Sequence, residues 1–292
     1  MKLNNNQKIK KADIALVIIL SFAISLLLWF SPRDNFLKVY FLDVGQGDAI
    51  FIQAPNGNQI LVDGGPDKSI LYRLGQIMPF YDRSIDLVIL THPHADHLNG
   101  LINILERYKV DYILESKADT KTPEFVAWQE AVLKEGANHL FAKAGQVIEL
   151  GPDLRLVIMH PLNDKINNVK NPNSLSVVAK LVYGNQSLLL TGDMERKEEQ
   201  KLVFAGADVD SDFLKIAHHG SRTSTTKEFL DKVTPQLAFI SVGAKNRYGH
   251  PTDEVLDRLE NHGIKYYRTD IDGTIKLLLD GENYKLIFPT LD

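Results

Sequence analysis

Three observations on this 292-residue chain predict a layered α/β fold. Short apolar runs alternate with helix-patterned segments without any internal repeat, glycine-containing turns close those runs, and five of the runs end in polar, chemistry-bearing groups. Polar groups gathered at strand ends are what an active site on the rim of a layered sheet requires.

The chain opens on a basic tail and the stretch Ile14 to Phe30, seventeen residues with no charge, Pro or Gly. At about 1.5 Å per helical residue this is a short membrane span, extended by Ala12 and Ser31, with Trp29 and Phe30 suited to an interface. Lysines before it predict a cytoplasmic amino terminus and a globular part, residues 36–292, outside a cell membrane crossed once. A cleaved secretory signal, giving a secreted protein, and a buried core helix are the competing readings; Leu26 to Phe30 lacks the small residues of a cleavage site.

Leu37–Leu42, Ala49–Ile52 and Gln59–Val62 read as strands. The first two are separated by Asp43-Val-Gly-Gln-Gly-Asp48, whose carboxylates suit orienting a histidine or a water, and Asn56-Gly57 is a hairpin signal. Asp67–Met78 has apolar residues at helical spacing. Asp86–Leu90 is a strand that delivers Thr91-His-Pro-His-Ala-Asp-His97, followed by a helix over Leu98–Tyr108. Val110–Leu114 is a strand, Pro123–Glu135 a helix with Pro in its tolerated first turn, and Gln146–Glu149 and Leu154–Met159 are strands. Leu175–Leu181 and the run from Gln186 follow as strands, the latter ending in Thr191-Gly-Asp193 before a helix over Glu195–Ala205. Further on, Phe213 begins a strand that presents His218 and His219, and Gln236–Val242 ends at Gly243. Asp253–Asn261 is an amphipathic helix with Thr252 as its cap, and Ile264–Arg268 and Thr274–Leu279 close the sheet.

Three imidazoles and a carboxylate within six residues point to bound metal. The chain has no cysteine, so any metal is held by His, Asp, Glu or Asn, and thiolate chemistry is excluded. His92 and His94 are spaced to face one ion, and Asp96 and His97 a second. Asp193, at the end of an apolar strand, suits a carboxylate that bridges two cations, against the alternative of helix capping. If the strand before them persists, alternation lets only one of His218 and His219 face the metals, the other touching substrate. His160 is a candidate for the remaining position at the first ion, with Asn173 and Ser174 as its competitors.

Net charge is −4 overall; without residues 1–35, which hold five basic and two acidic side chains, it is −7. That balance argues against a broad nucleic-acid-binding face, although two divalent ions would themselves attract a phosphodiester.

Taken together, Phe41-Leu-Asp-Val-Gly-Gln-Gly-Asp48, Thr91 to His97, Leu189-Leu-Thr-Gly-Asp193, Leu214-Lys-Ile-Ala-His-His-Gly-Ser221 and Tyr248-Gly-His-Pro251 resemble the metallo-β-lactamase superfamily. The branch is that of the extracellular hydrolase domain of the DNA-uptake competence protein ComEC, over residues 37 to 288. The resemblance implies a four-layer αββα sandwich with two divalent ions, Zn²⁺ first and Mn²⁺ second. It implies His92 and His94 at the first metal, Asp96 and His97 at the second, Asp193 between them and His218 at the second. The superfamily's usual further histidine in a Gly-His-Ser or Gly-His-Thr setting is absent, which leaves His160 or Asn173-Ser174 for that place.

The implied activity is metal-assisted hydrolysis of an anionic phosphodiester, with an extracellular nuclease acting on DNA foremost. Asp96 would orient water, His219 and His250 would bind a phosphoryl oxygen or protonate the leaving group, and Lys245 and Arg247 would favour an anion. A phosphodiesterase of cell-envelope polymers, like the teichoic-acid phosphorylcholine esterases, is the alternative. A non-catalytic membrane-tethered module would require eroded ligands, and β-lactam hydrolysis belongs to another branch.

Overall fold

The computed structural model describes residues 14, 16–23, 35–162 and 171–289. By internal contacts the chain divides into Met1–Asn35 and Phe36–Asp292. In the first unit, residues 14 and 16–23 are helical, and the rest of the expected span lies outside the described residues. Among the described residues no helix is long and apolar enough to cross a membrane.

The second unit is an α/β sandwich of two sheets. The first contains β1 (Leu37–Phe41), β2 (Ile50–Gln53), β3 (Gln59–Val62), β4 (Ser84–Leu90), β5 (Lys109–Glu115), β6 (Asn138–Phe141), β14 (Ile275–Leu279) and β15 (Tyr284–Ile287), in the order β15-β14-β1-β2-β3-β4-β5-β6. The second contains β7 (Val147–Gly151), β8 (Leu154–His160), β9 (Val178–Tyr183), β10 (Gln186–Leu190), β11 (Phe213–Lys215), β12 (Leu237–Ile240) and β13 (Lys265–Arg268), in the order β13-β12-β11-β10-β9-β8-β7. Each sheet is antiparallel in one half and parallel in the other. β3 to β6 run parallel in the first and β10 to β13 in the second. Parallel neighbours place their carboxyl ends on one edge, and that edge carries the site.

Alternation along the strands builds three apolar layers. Phe41, Ile52, Ile89, Leu156, Leu188 and Phe239 belong to the layer between the sheets, where Phe41 and Phe239 stack with centroids 4.2 Å apart. On the outer face of the first sheet lie helices α1 (Ser69–Ile77), α2 (Ala95–Leu105) and α3 (Pro123–Glu135), burying Leu74, Leu101 and Trp128. On the outer face of the second, α4 (Arg196–Phe204), α5 (Lys227–Val233) and α6 (Asp253–Asn261) bury Leu202, Leu230 and Leu259. A short helix, α7 (Thr269–Asp272), follows β13. The layers thus run helix, sheet, sheet, helix.

Most expected elements are present, with differences that have physical reasons. α2 begins at Ala95, not Leu98, so Asp96 and His97 stand in its first turn. β9 begins at Val178 because Pro172–Leu175 form a 3-10 turn before it. Thr252 precedes α6, but its hydroxyl donates to the Gly220 carbonyl at 3.2 Å and not to its own helix. β6, β15 and α5 were not expected from the sequence. Gly47 adopts φ +137°, and a Cβ there would collide with the Asp96 carbonyl; the glycine lets the β1–β2 loop lie against the first turn of α2.

Candidate metal centre

The chain leaves β4 at Leu90 and enters α2 at Ala95, with His94 in extended backbone before the helix. This turn aims His92, Asp96 and His97 inward. His92 and His97 are fully buried. Their tautomers follow from the hydrogen bonds. Thr91 Oγ1 donates to Asp63 Oδ2 at 2.7 Å, so the His92 Nδ1–H donates to Thr91 Oγ1 at 3.1 Å. The His97 Nδ1–H donates to Asp63 Oδ2 at 2.8 Å. Both imidazoles therefore turn Nε2 toward the centre.

From the second sheet, β10 ends in Thr191-Gly192-Asp193. The Asp193 carboxylate lies with Oδ2 3.6 Å from His92 Nε2 and Oδ1 3.4 Å from His97 Nε2. It does not cap a helix, since α4 starts at Arg196, after Glu195.

β11 ends at Lys215, and the chain then turns so tightly that His218 and His219 both take left-handed φ values, 49° and 54°. Strand alternation therefore does not govern this pair, and both rings reach the centre. His219 is buried, its Nδ1–H donates to the Ser241 carbonyl at 2.9 Å, and its Nε2 lies 3.3 Å from Asp96 Oδ2 and 3.8 Å from Asp193 Oδ2. His218 is more open; its Nε2 is 3.7 Å from Asp193 Oδ2 and its Nδ1 is 3.5 Å from Glu195 Oε1.

Among the described residues four overlapping groups result, His92–His97–Asp193, Asp96–His97–His219, Asp48–Asp63–His97 and Asp48–Asp193–His219, each with ligand atoms within 4.8 Å of one another; the first two join the histidines of the β4–α2 turn to Asp193 and His219. His97 Nε2, Asp193 Oδ1 and His219 Nε2 are buried without a hydrogen-bond partner. Unpartnered buried nitrogens and oxygens pointed at a common volume fit bound cations. The electrostatics agree. Burial disfavours charge on His97 and His219, but Asp193 with Asp63 and Asp96 outweighs it at His97, and Asp193 with Asp48 and Asp96 at His219. His97 is held well above the usual imidazole range and His219 at about 10. Asp193 is held well below the carboxylate range by His97, His219 and His92 against the opposing effect of burial. The centre thus attracts positive charge. His92 and His94 are pushed down by burial and then by His97, toward the neutral form that ligates.

A second tier supports this cluster. Lys215 is fully buried, and its Nζ donates to Asp48 Oδ2 at 2.6 Å and to the Ile216 carbonyl at 3.0 Å. Asp48 Oδ1 lies 3.3 Å from His219 Nδ1. Burial opposes the charge on Asp48, but Lys215 and His219 hold it at about 2. The motif reading did not assign Asp63 or Lys215 a role. Their signals are a carboxylate ending β3, as Asp193 follows β10, and a lone cation inside the apolar strand Phe213-Leu-Lys-Ile-Ala.

A cavity of about 340 Å³ opens over the cluster, lined by Gln46, His94, Asp96, His218, Tyr248 and His250 among others. His94 Nδ1 is 3.0 Å from His92 Nε2. Burial, then His218 and His219, lowers His250 to about 4, and its Nδ1 is buried without a partner. Exposed Arg247 lies over the Tyr248 ring, 5.0 Å from its centroid, and Lys245 is also exposed.

His160 is not brought to the cluster. It is buried with its Nδ1–H on the Ser176 carbonyl at 2.9 Å, and it lines neither the cavity nor any of the His/Asp groups. The segment that follows Asn173 is tied to the strand ends of the cluster: the Val177 N–H donates to the Thr91 carbonyl at 2.9 Å and the Asp193 N–H to Ser176 Oγ at 3.2 Å. Asn173 Oδ1 is buried without a partner.

Residues 42–244 match the model of the metallo-beta-lactamase superfamily. ComE operon protein 3 of Bacillus subtilis is 32% identical over 256 residues, covering 82% of this chain and 32% of that protein. Competence protein ComA of Neisseria gonorrhoeae is 32% identical over 248 residues, covering 83% and 32%. The chain spans about a third of the length of these relatives. Among solved structures, the metallo-beta-lactamase fold protein YhfI from Bacillus subtilis is similar with a TM-score of 0.54 at 13% identity, over 80% of this chain and 96% of that one. With the paired sheets and the His/Asp cluster at their shared edge already in view, the match across residues 42–244 means that this chain belongs to the metallo-beta-lactamase superfamily.

Proposed function

We propose that the chain is a metal-dependent hydrolase of phosphodiester bonds that cuts DNA on the outer side of a membrane, to which residues 14–30 tether it. The observation that carries this reading is the pair of His/Asp groups sharing His97 beneath an open cavity, and similarity to proteins named for competence supports DNA as the substrate.

His92, His94 and Asp193 would hold one ion, with Asn173 Oδ1 as a neutral oxygen donor in preference to His160; Asp96, His97, His219 and Asp193 would hold the other. Such ions supply an activated water and neutralise charge developing on the phosphoryl oxygens. Asp96, which shares the cavity wall with Asp193, orients the attacking water. His219, anchored to Ser241, takes the ligand role expected of His218, and His218 meets substrate at the cavity. His250 gives a ring N–H to a non-bridging oxygen. Arg247 and Lys245 draw the anionic strand toward the cavity.

Assays of the purified chain with Zn²⁺ or Mn²⁺ against single-stranded DNA, double-stranded DNA, RNA and phosphorylcholine esters test the reading. Metal-dependent cleavage of DNA is expected, and inactivity on every nucleic acid overturns it. Cleavage of the phosphorylcholine esters alone would establish the envelope-polymer reading, which the net charge of −7 outside the first 35 residues favours.

A further inference from the structure

One strand away from the cluster, at the carboxyl end of β5, a cavity of about 480 Å³ lies between β5, β6 and α3. Its volume is that of a small-molecule pocket. Glu115 forms its floor, paired in register with Leu90, two residues before His92. Glu115 is 5% exposed, and both of its oxygens are engaged: the Trp128 Nε1–H donates to Oε2 at 2.6 Å, and the His139 Nε2–H to Oε1 at 2.8 Å. These bonds fix an indole and an imidazole in the pocket wall. The His139 ring packs on Phe141 with centroids 4.9 Å apart, and Lys117 Nζ lies 5.7 Å from the Phe141 centroid at the mouth.

The decisive group is Ser116. It lines the cavity, is 4% exposed, and its hydroxyl is buried with no hydrogen-bond partner. A buried hydroxyl aimed into a cavity calls for a partner there. Rigid aromatic walls favour a flat ring, and a polar floor and rim demand hydrogen-bonding atoms on that ring. Glu115 and Asp119 against Lys117 do not favour an anion inside the pocket, so the ring itself carries no negative charge. We infer that this pocket binds a planar heteroaromatic ring of nucleobase size, held by the Ser116 hydroxyl and the exposed Phe141 ring, with the buried Trp128 behind the wall. The inference goes beyond the hydrolytic reading and does not depend on it, because nothing in the pocket takes part in the metal cluster.

Trp128 is one of two tryptophans, so Trp29→Phe leaves a single reporter in the pocket wall. That protein is titrated with adenosine and thymidine while its fluorescence is followed, with ribose as a probe lacking the ring and benzene as one lacking the polar edge. Saturable change with at least one nucleoside and none with ribose is expected, weakened at least tenfold by Ser116→Val and by Phe141→Ala. Phe141 is 43% exposed, so its variant tests the wall even if Ser116→Val fails to fold. Short single-stranded oligonucleotides competing for the same signal would identify the ring as part of a strand; failure to compete would identify a free nucleoside. No saturable change with either nucleoside, benzene binding as tightly as a nucleoside, or full affinity retained in the Phe141→Ala variant, overturns the inference. Fluorescence reads binding without catalysis, so an inactive enzyme that binds nucleosides separates this pocket from the hydrolytic reading.

Discussion

Between β4 and α2, His92, His94 and His97 ride on an ordinary strand-to-helix turn, whereas after β11 His218 and His219 occupy consecutive left-handed positions. In the first stretch side-chain direction follows from element type, so spacing alone identified which residues face inward. In the second, the backbone reverses inside the motif, both imidazoles come within 3.8 Å of Asp193 Oδ2, and rank within the pair is decided by what anchors each ring. His219 has a carbonyl on Nδ1 and is buried; His218 has Glu195 beside it and looks into the cavity.

The largest effect should come from removing a residue both stretches depend on. Asp193→Ala or His97→Ala should lower hydrolysis of bis-p-nitrophenyl phosphate by more than the ~100-fold typical of residues outside the ligand sphere, with loss of bound metal by elemental analysis. Retained metal and activity would dissolve the comparison at its root. Next comes the buried cation behind the second stretch. Lys215→Met leaves the Asp48 charge unpaired and should cost about 3–5 kcal/mol in urea denaturation, much of it restored by adding Asp48→Asn. Because Asp48 is held at about 2 in the fold against an ordinary 3.8, its contribution is complete above about pH 4 and lost as pH falls through 2. The Asp48→Asn protein should therefore lose less stability over that window.

Within the pair, His219→Ala should cut bound metal from two ions toward one, while His218→Ala should keep both and raise KM by roughly 10-fold, about the 1.4 kcal/mol of one hydrogen bond to a charged group. Equal metal loss in both variants would erase the distinction. The smallest effect concerns how the second stretch is pinned: Thr252→Val deletes the hydroxyl bond to Gly220 and should cost about 1 kcal/mol of stability with metal content unchanged.

The sandwich and the inward-facing edge were legible because buried strands ending in Asp or His are visible one strand at a time. β6 was not, since Asn138–Phe141 is exposed throughout and has no apolar alternation to read; its place is set by pairing with β5. α5 is only seven residues and is fixed by Thr226, which accepts from Phe229 N and is gripped by the Glu199 carboxylate from α4. His160 has the strand-end position of a ligand and its Nδ1–H on the Ser176 carbonyl, sixteen residues away, but it lines neither the cavity nor the His/Asp groups, a placement that no local pattern carries. Asp63 and Lys215 were hidden for a related reason: each acts on a partner supplied by a distant segment.

Asp48 belongs to the first sheet's β1–β2 loop and Lys215 to the second sheet's β11, and the metal-facing groups divide in the same way: His92, Asp96 and His97 on one side, Asp193, His218 and His219 on the other. The centre is therefore a seam. The groups His92–His97–Asp193 and Asp96–His97–His219 both draw on the two halves, so neither forms on one half alone. The cluster is assembled only where the two halves meet, and the Lys215–Asp48 pair is a clasp between them.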